Sequence, residues 1–384
     1  MKRFLALLLA IALVLIPMFV FADEEIALFE VITPEPEIQD IQTIEQQPSA
    51  EILTQIVPDP IHHLQPDGSI VLTISAVGDL TIGGDVRKRG DSIFDKELKK
   101  NNGDLSFVTK NVRDILKEDD LTIANFETTL TTAPVYKKNN DFVFSAPPEY
   151  VEVLKHGSIE AVAFENNHAI DHGEAGIEQT QSVLTDAGII WSTEAHPGFY
   201  SVKGLVIGML SYQTFNGNYP RLQVQVPQDI AAIKQQCDIV IVSYHWGAEL
   251  DYSPNDNQQQ LGRLTIDAGA DLVLGHHSHR INPIEEYNGK YIVYSLANFS
   301  FSGNSKPSDM SSFIFQTRFS FKDGEAMSLG FRIIPMRISS KTDYNDFVPT
   351  PYTDQRLIDN VIHVLLNNSK NLTYAVSDYP LDWE

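Results

Sequence analysis

From Ile70 onward the chain repeats one pattern: a short apolar run, a polar amphipathic stretch, then another apolar run. Runs of four to eight apolar residues suit strands buried on both faces, and the stretches between them are long enough to cross back as helices. The pattern predicts an α/β fold. Strands are expected at 70–77, 121–126, 161–164, 189–191, 201–202, 205–212, 239–244, 272–274 and 291–296, and helices at 105–117, 148–156, 174–187, 227–236 and 257–268. Lys203-Gly204 and Asn288-Gly289-Lys290 read as hairpin turns, because Gly and Asn-Gly supply the positive φ of a tight turn. The sheet is therefore not purely parallel. Alternation over 311–338 predicts strands that close a second sheet, and 354–366 reads as an amphipathic, peripheral tail.

The region before this pattern is different. Lys2 and Arg3 precede an apolar run over 4–21 that ends in Val20-Phe21-Ala22. Residues 1–22 thus read as a signal peptide or, left uncleaved, as an N-terminal membrane anchor, since the run is long enough for a hydrocarbon core of ~30 Å. The two cations orient the rest outside the cytoplasm. Export is expected, to the extracellular face of the cytoplasmic membrane or the cell wall, with secretion if the signal is cleaved. Residues 23–69 contain neither Lys nor Arg, are rich in acidic residues and are interrupted by Pro, which reads as a disordered stalk. The folded domain is expected at 70–340, with a C-terminal extension, 341–384, packed on or near it.

A formal net charge of −23 argues against nucleic acid as a partner, because a phosphate backbone would be repelled at long range. Cys237 is the single cysteine, which excludes an intramolecular disulfide and a thiolate zinc cluster. Any metal must be held by His, Asp, Glu and Asn.

Five short clusters place such residues where an apolar run ends, which is where α/β enzymes build sites. They are Gly78-Asp79; Asn125-Phe126-Glu127; Asn166-Asn167-His168 with Asp171; His245-Trp246-Gly247 with Glu249; and Gly275-His276-His277-Ser278-His279. Singly each has a plain structural use, as a helix cap, a turn or a core histidine. Together they would meet along one sheet edge. If the last segment stays extended, His277 and His279 point to one side and His276 to the other. An Asp, a Glu, an Asn and three His suit Zn, Mn or Fe, and that many donors could serve two divalent ions about 3.5–4 Å apart.

The order and wording of these clusters resemble the CapA family, whose first known members support capsule poly-γ-glutamate synthesis and whose fold is metallophosphoesterase-like. The matching stretches are AVGDLTIGG, IANFETTL, FENNHAIDHG, VSYHWGAEL and GHHSHRINPIEEYNGKYIVYSLANFSF, in family order from about Ile74 to Phe301. The resemblance implies a four-layer sandwich of two mixed β-sheets flanked by helices. It also implies metal ligands at Asp79, Glu127 (bridging), Asn167, His245, His277 and His279, and a proton donor at His168. Thr81 departs from the wider superfamily, which has a histidine there, so one metal position is short of a ligand. Ser278 stands where the family has Pro. His172 replaces an aromatic or similar residue and either adds a ligand or lies at the surface. Asn125 and Asp171 are expected to support the site, Asp171 by orienting a histidine or by capping the helix after it. Trp246 and Glu249 are expected on a loop over the site, where they contact substrate unless Trp246 is packing.

The resemblance implies an exported protein of capsule biosynthesis with a dimetal centre that hydrolyses phosphate esters. Two alternatives stay open: a non-catalytic, metal-stabilised accessory of a membrane polymer synthase, and a metal-dependent amide hydrolase or transferase acting on the polymer. The expected partners are synthase subunits and an anionic polymer or phosphate-containing substrate. Limited proteolysis is expected to cut first within 23–68 and leave a stable fragment starting near Ile70; protection of that stretch would contradict the stalk.

Overall fold

The computed structural model describes residues 64–88, 90–136 and 142–383, all within one compact unit, Ile52–Glu384. The other unit, Met1–Glu51, and with it the signal or anchor and most of the stalk, lies outside the described residues. Among the described residues, hydrogen bonds are already made ahead of Ile70: Gln65 N donates to Ser69 O at 2.7 Å, and Leu64 bridges to Ile70. Among the described residues no helix is long and apolar enough to cross a membrane.

Two mixed sheets face each other. The first runs Thr350–Pro351, Glu325–Arg337, Ser311–Lys322, Ile70–Thr81, Leu121–Phe126, Ala161–Ala163, Ile190–Ser192, with Asn298–Phe301 added beside Ile70–Thr81. The second runs Ile284–Tyr287, Lys290–Val293, Leu272–His276, Ile239–His245, Leu205–Gln213, Gly198–Val202. Both expected hairpins form, Gly198–Val202 with Leu205–Gln213 and Ile284–Tyr287 with Lys290–Val293. The strands of 311–338 do not build a second sheet, however. They pair antiparallel with Ile70–Thr81 and lengthen the first one.

Strand alternation explains the layers. Ile74, Ile123, Ile241 and Leu274 project between the sheets and form the central core. On the outer face of the first sheet, Val77, Ala124 and Val162 pack with Phe94, Leu154 and Leu184 from the helices Ile93–Lys100, Glu152–Gly157 and Gly173–Asp186. On the outer face of the second, Val240, Val242 and Val273 pack with Leu222, Val226, Ile230 and Leu261 from Tyr219–Ile233 and Asp256–Asp267. The result is a four-layer α/β sandwich, two mixed sheets flanked by helices, as the sequence led one to expect.

Three local expectations need correction. Residues 105–117 form a short 3-10 turn, Leu105–Phe107, and one α turn, Arg113–Leu116, rather than one helix. The helix expected to start at Pro227 starts at Tyr219, because Leu222, Val226, Ile230 and Ile233 make one buried stripe that spans the proline. The tail is not peripheral: Val361 and Leu365 of the helix Gln355–Asn368, together with Tyr379, are buried in the central core, and Ile284 N donates to Tyr379 Oη at 3.0 Å.

One crossover binds the two sheets together where the strands end. After Val293 the chain leaves the second sheet and joins the first at Asn298. On the way Leu296 N donates to Gly275 O (3.3 Å), and Ala297 O accepts from Asp79 N (2.9 Å). Two glycines make room for it. A Cβ on Gly275 would sit 2.1 Å from Tyr294 O, and one on Gly78 would sit 2.1 Å from Ala297 O, in both cases against backbone that cannot give way. Gly78→Ala should therefore destabilise the fold by about 1–3 kcal/mol or more, as overpacking does. Urea denaturation measures it, and an unchanged midpoint would show that the crossover is not held this tightly.

Candidate metal centre

The strand register delivers the site. The pairing of Ile70–Thr81 with Leu121–Phe126 shifts between Val77 and Asp79, which sets Asp79 opposite Asn125. Asp79 is fully buried. Asn125 Nδ2 donates to Asp79 Oδ1 (2.8 Å) and lies 3.2 Å from His245 Nδ1, so one amide ties the first sheet's carboxylate to the second sheet's histidine. Asn166 Nδ2 in turn donates to Asn125 Oδ1 (3.3 Å) and Phe126 O (3.0 Å). His245 Nε2 lies 2.9 Å from Asn167 Oδ1 and 3.5 Å from Glu127 Oε1. His279 Nδ1 is 3.0 Å from both Asp79 Oδ2 and Asn298 Oδ1. Donor atoms of Glu127, His277 and His279 lie within 4.8 Å of one another. The site thus gathers Asp79, Glu127, Asn167, His245, His277 and His279.

Glu127 tests whether these residues fit a cation. It is 1% exposed, and among the described residues neither carboxylate oxygen has a hydrogen-bond partner. A buried, unpaired carboxylate costs several kcal/mol, which a coordinated cation would offset. Orphaned polar atoms on Thr81, His276 and His277 share the neighbourhood. The donor set of imidazoles, carboxylates and an amide oxygen fits a divalent ion.

The electrostatics carry the same strain. Burial pushes the Glu127 carboxyl well above its ordinary value, and the charge of Asp79 adds to it. For Asp79 burial works upward too, but the hydrogen bond and charge of His279 prevail and hold it low. Burial opposes the charge on His279, yet Glu127 and Asp79 raise it to about 9. Burial, then the charge of His279, brings His277 down to about 4, and burial lowers His276 to about 4. Burial, followed by the other histidines, keeps His245 neutral.

His168 stands beside these donors. Its Nδ1 is 2.7 Å from Asp171 Oδ2, which also accepts from Phe144 N at 2.9 Å, and the Phe144 ring meets the imidazole edge-on at 4.6 Å. Asp171 therefore orients a histidine; the helix Gly173–Asp186 starts without a side-chain cap from it.

Several expectations change here. The histidine segment does not stay extended, because His277 (φ 91°) and His279 (φ 53°) adopt left-handed backbone conformations. The strand runs on to His276 and pairs it in register with His245, so His276 turns into the inter-sheet space, with Nδ1 3.7 Å from Asp79 Oδ1. Trp246 is no substrate contact: it is fully buried, stacks on Tyr244 (4.5 Å) and donates from Nε1 to Tyr294 O (2.9 Å). His172 is not at the surface; it is buried, with Nδ1 2.7 Å from Ala133 O. Glu249 is exposed, and its charge reaches Glu127 and His279. Three neighbours escaped the sequence reading. Asn298 had a signal, a polar residue at a strand start inside the matching text. Phe144 and Phe215, the latter 4.7 Å from the His277 ring, had none, because an aromatic residue in a loop carries no local mark of its partner.

Comparison with known proteins gives the following. The family profile described as bacterial capsule synthesis protein PGA_cap matches residues 73–302. The PGA biosynthesis protein CapA of Bacillus subtilis (strain 168) is 30% identical over 341 residues, covering 82% of this chain and 82% of that protein. The capsule biosynthesis protein CapA of Bacillus anthracis is 28% identical over 273 residues, covering 63% of this chain and 62% of that protein. Among solved structures, the calcineurin-like phosphoesterase YfkN from Bacillus subtilis aligns with a TM-score of 0.45 and 14% identity over 76% of this chain and 97% of that one.

At neutral pH the metal-free site holds a proton on His279, raised to about 9, and the proton affinity of Glu127 stands well above its ordinary value. Ligands bind as the deprotonated forms, so uptake of a divalent ion should release protons. Affinity should then rise about tenfold per pH unit for each proton displaced, until the pH passes the raised value. Calorimetry in buffers of different ionisation heat measures the release; uptake without it would contradict this protonation pattern.

Proposed function

Because the chain belongs to the bacterial capsule synthesis protein family, we propose that it is an exported protein of poly-γ-glutamate capsule assembly whose divalent-metal centre hydrolyses phosphate esters. The polymer connection is supported by the relatives' names, and export by the cationic start and the apolar run over 4–21. The observation that carries the catalytic reading is the His168–Asp171 pair, a histidine held by a buried carboxylate at the margin of a cluster of metal donors.

The ions would be held by Asp79, Glu127, Asn167, His245, His277 and His279. When bound, they supply Lewis-acid polarisation of a phosphoryl oxygen and a lowered pKa for water. The chain's own residues account for the rest. Asn125 keeps Asp79 and His245 in register with each other, and Asn298 steadies the His279 ring. Asp171 accepts from His168 Nδ1 and fixes the ring, which leaves Nε2 to deliver a proton to the departing oxygen. The Phe144 edge fixes the ring plane, and Phe215 covers the His277 side of the cluster against water. The acidic surface would not attract a polyanion, so an anionic substrate depends on the metals for its hold.

His168→Ala should lower turnover of a generic phosphomonoester or phosphodiester with added Mn²⁺ by about 10²–10⁴-fold and leave metal content unchanged. Equal loss of metal would make His168 a ligand. A wild-type chain that binds metal but cleaves neither ester would point to the accessory role, and release of glutamate from polyglutamate would point to amide hydrolysis.

A further inference from the structure

We propose that His276 is a positioning residue of the metal centre, whose imidazole hydrogen-bonds the Asp79 carboxylate and holds it in the orientation that a bound ion uses. This rests on the metal-centre reading above. Asn125, next to last in its strand, and His245 and His276, which end theirs, form one polar layer on the inter-sheet face. His276 pairs in register with His245, and the Asn125 amide spans Asp79 Oδ1 and His245 Nδ1. Two residues back along these strands Ile123 and Leu274 belong to the central core, with the buried Ser243 paired beside Leu274, and Ile241 follows one layer further down. On the site side of this level the carboxylate of Asp79 faces the His276 ring.

His276 is 1% exposed, and among the described residues neither ring nitrogen makes a hydrogen bond. A neutral imidazole carries one N–H and one lone pair, and leaving both unsatisfied in a buried layer is costly. Asp79 Oδ1 lies 3.7 Å from Nδ1, a small ring movement short of a hydrogen bond. That oxygen already accepts from Asn125 and has a further lone pair to offer. Two donors on Oδ1 would fix the carboxylate plane and leave Oδ2 facing His279, 3.0 Å away. A carboxylate ligand held this way loses less freedom when an ion binds, which is how partners behind a ligand strengthen metal sites.

Mn²⁺ alone, titrated calorimetrically into the full-length chain and its His276→Leu and His276→Gln variants, tests the proposal, with circular dichroism checking each fold. His276→Leu should weaken binding about 10–100-fold at unchanged stoichiometry, and His276→Gln, whose amide can still donate, should bind close to wild type. A merely structural role would not produce that rescue. Wild-type affinity in folded His276→Leu overturns the proposal. So does a lost ion in both variants, which would make His276 a ligand. If His276→Leu fails to fold, ¹⁵N-histidine NMR of the wild type decides: a hydrogen-bonded Nδ1 proton on His276 supports the role, and its absence overturns it. A wild-type chain that takes up no Mn²⁺ is a distinct result, which removes the metal centre itself.

Discussion

A carboxylate buried without a hydrogen bond is the constraint on which the rest of this structure turns. Glu127 sits at the end of a strand whose six residues are all buried, with the charge of Asp79 close enough to push its proton affinity up further. Proteins rarely keep such a group unless it is protonated, paired or bound to a cation. The surrounding residues favour the first of these, since burial and the charge of Asp79 raise the proton affinity of Glu127, and oppose the second. His245 and His277 are pressed towards neutrality, so they offer lone pairs rather than compensating charge, and His279 divides its proton between Asp79 and Asn298. A divalent cation would take the place of a proton on Glu127 and use the imidazole lone pairs at the same time.

The fold exists to keep these groups in one place. Each sheet alone carries only part of the donor set: Asp79 and Glu127 belong to the first, His245 and the histidine turn to the second. Packing the apolar faces together stabilises the sandwich, but a hydrophobic contact is non-directional and would not by itself align strand ends. Alignment comes from the crossover between Val293 and Asn298, pressed against Gly275 on one side and Gly78 on the other, and from the Asn125 amide that reaches across both sheets. The same crossover delivers Asn298 to His279.

Much of this was legible in the sequence. Strand Leu121–Phe126 agrees residue for residue with the apolar run, and the other runs agree to within a few residues, because burial on both faces leaves a continuous apolar record. The strand-end clusters were legible for the same reason: a polar residue that stops such a run needs a purpose. What escaped depends on contacts distant in the chain. Nothing in the alternation of 311–338 says which sheet its strands join. Pro227 reads as a helix start locally, and only the stripe from Leu222 to Ile233 shows that packing overrides it. The left-handed backbone at His277 and His279 has no signature in residues that seldom adopt it, so His276 was turned the wrong way. Trp246 and His172, one stacked and one tied to a carbonyl, show that a residue beside a motif need not serve it.

Anomalous diffraction from crystals grown with Mn²⁺, recorded above the manganese edge, tests the metal centre most directly. Peaks are expected within bonding distance of Glu127, with Asp79, Asn167, His245, His277 and His279 completing the coordination. A well-ordered Glu127 carboxylate with no peak beside it, its oxygens satisfied by water or a protein donor instead, would contradict a metal centre.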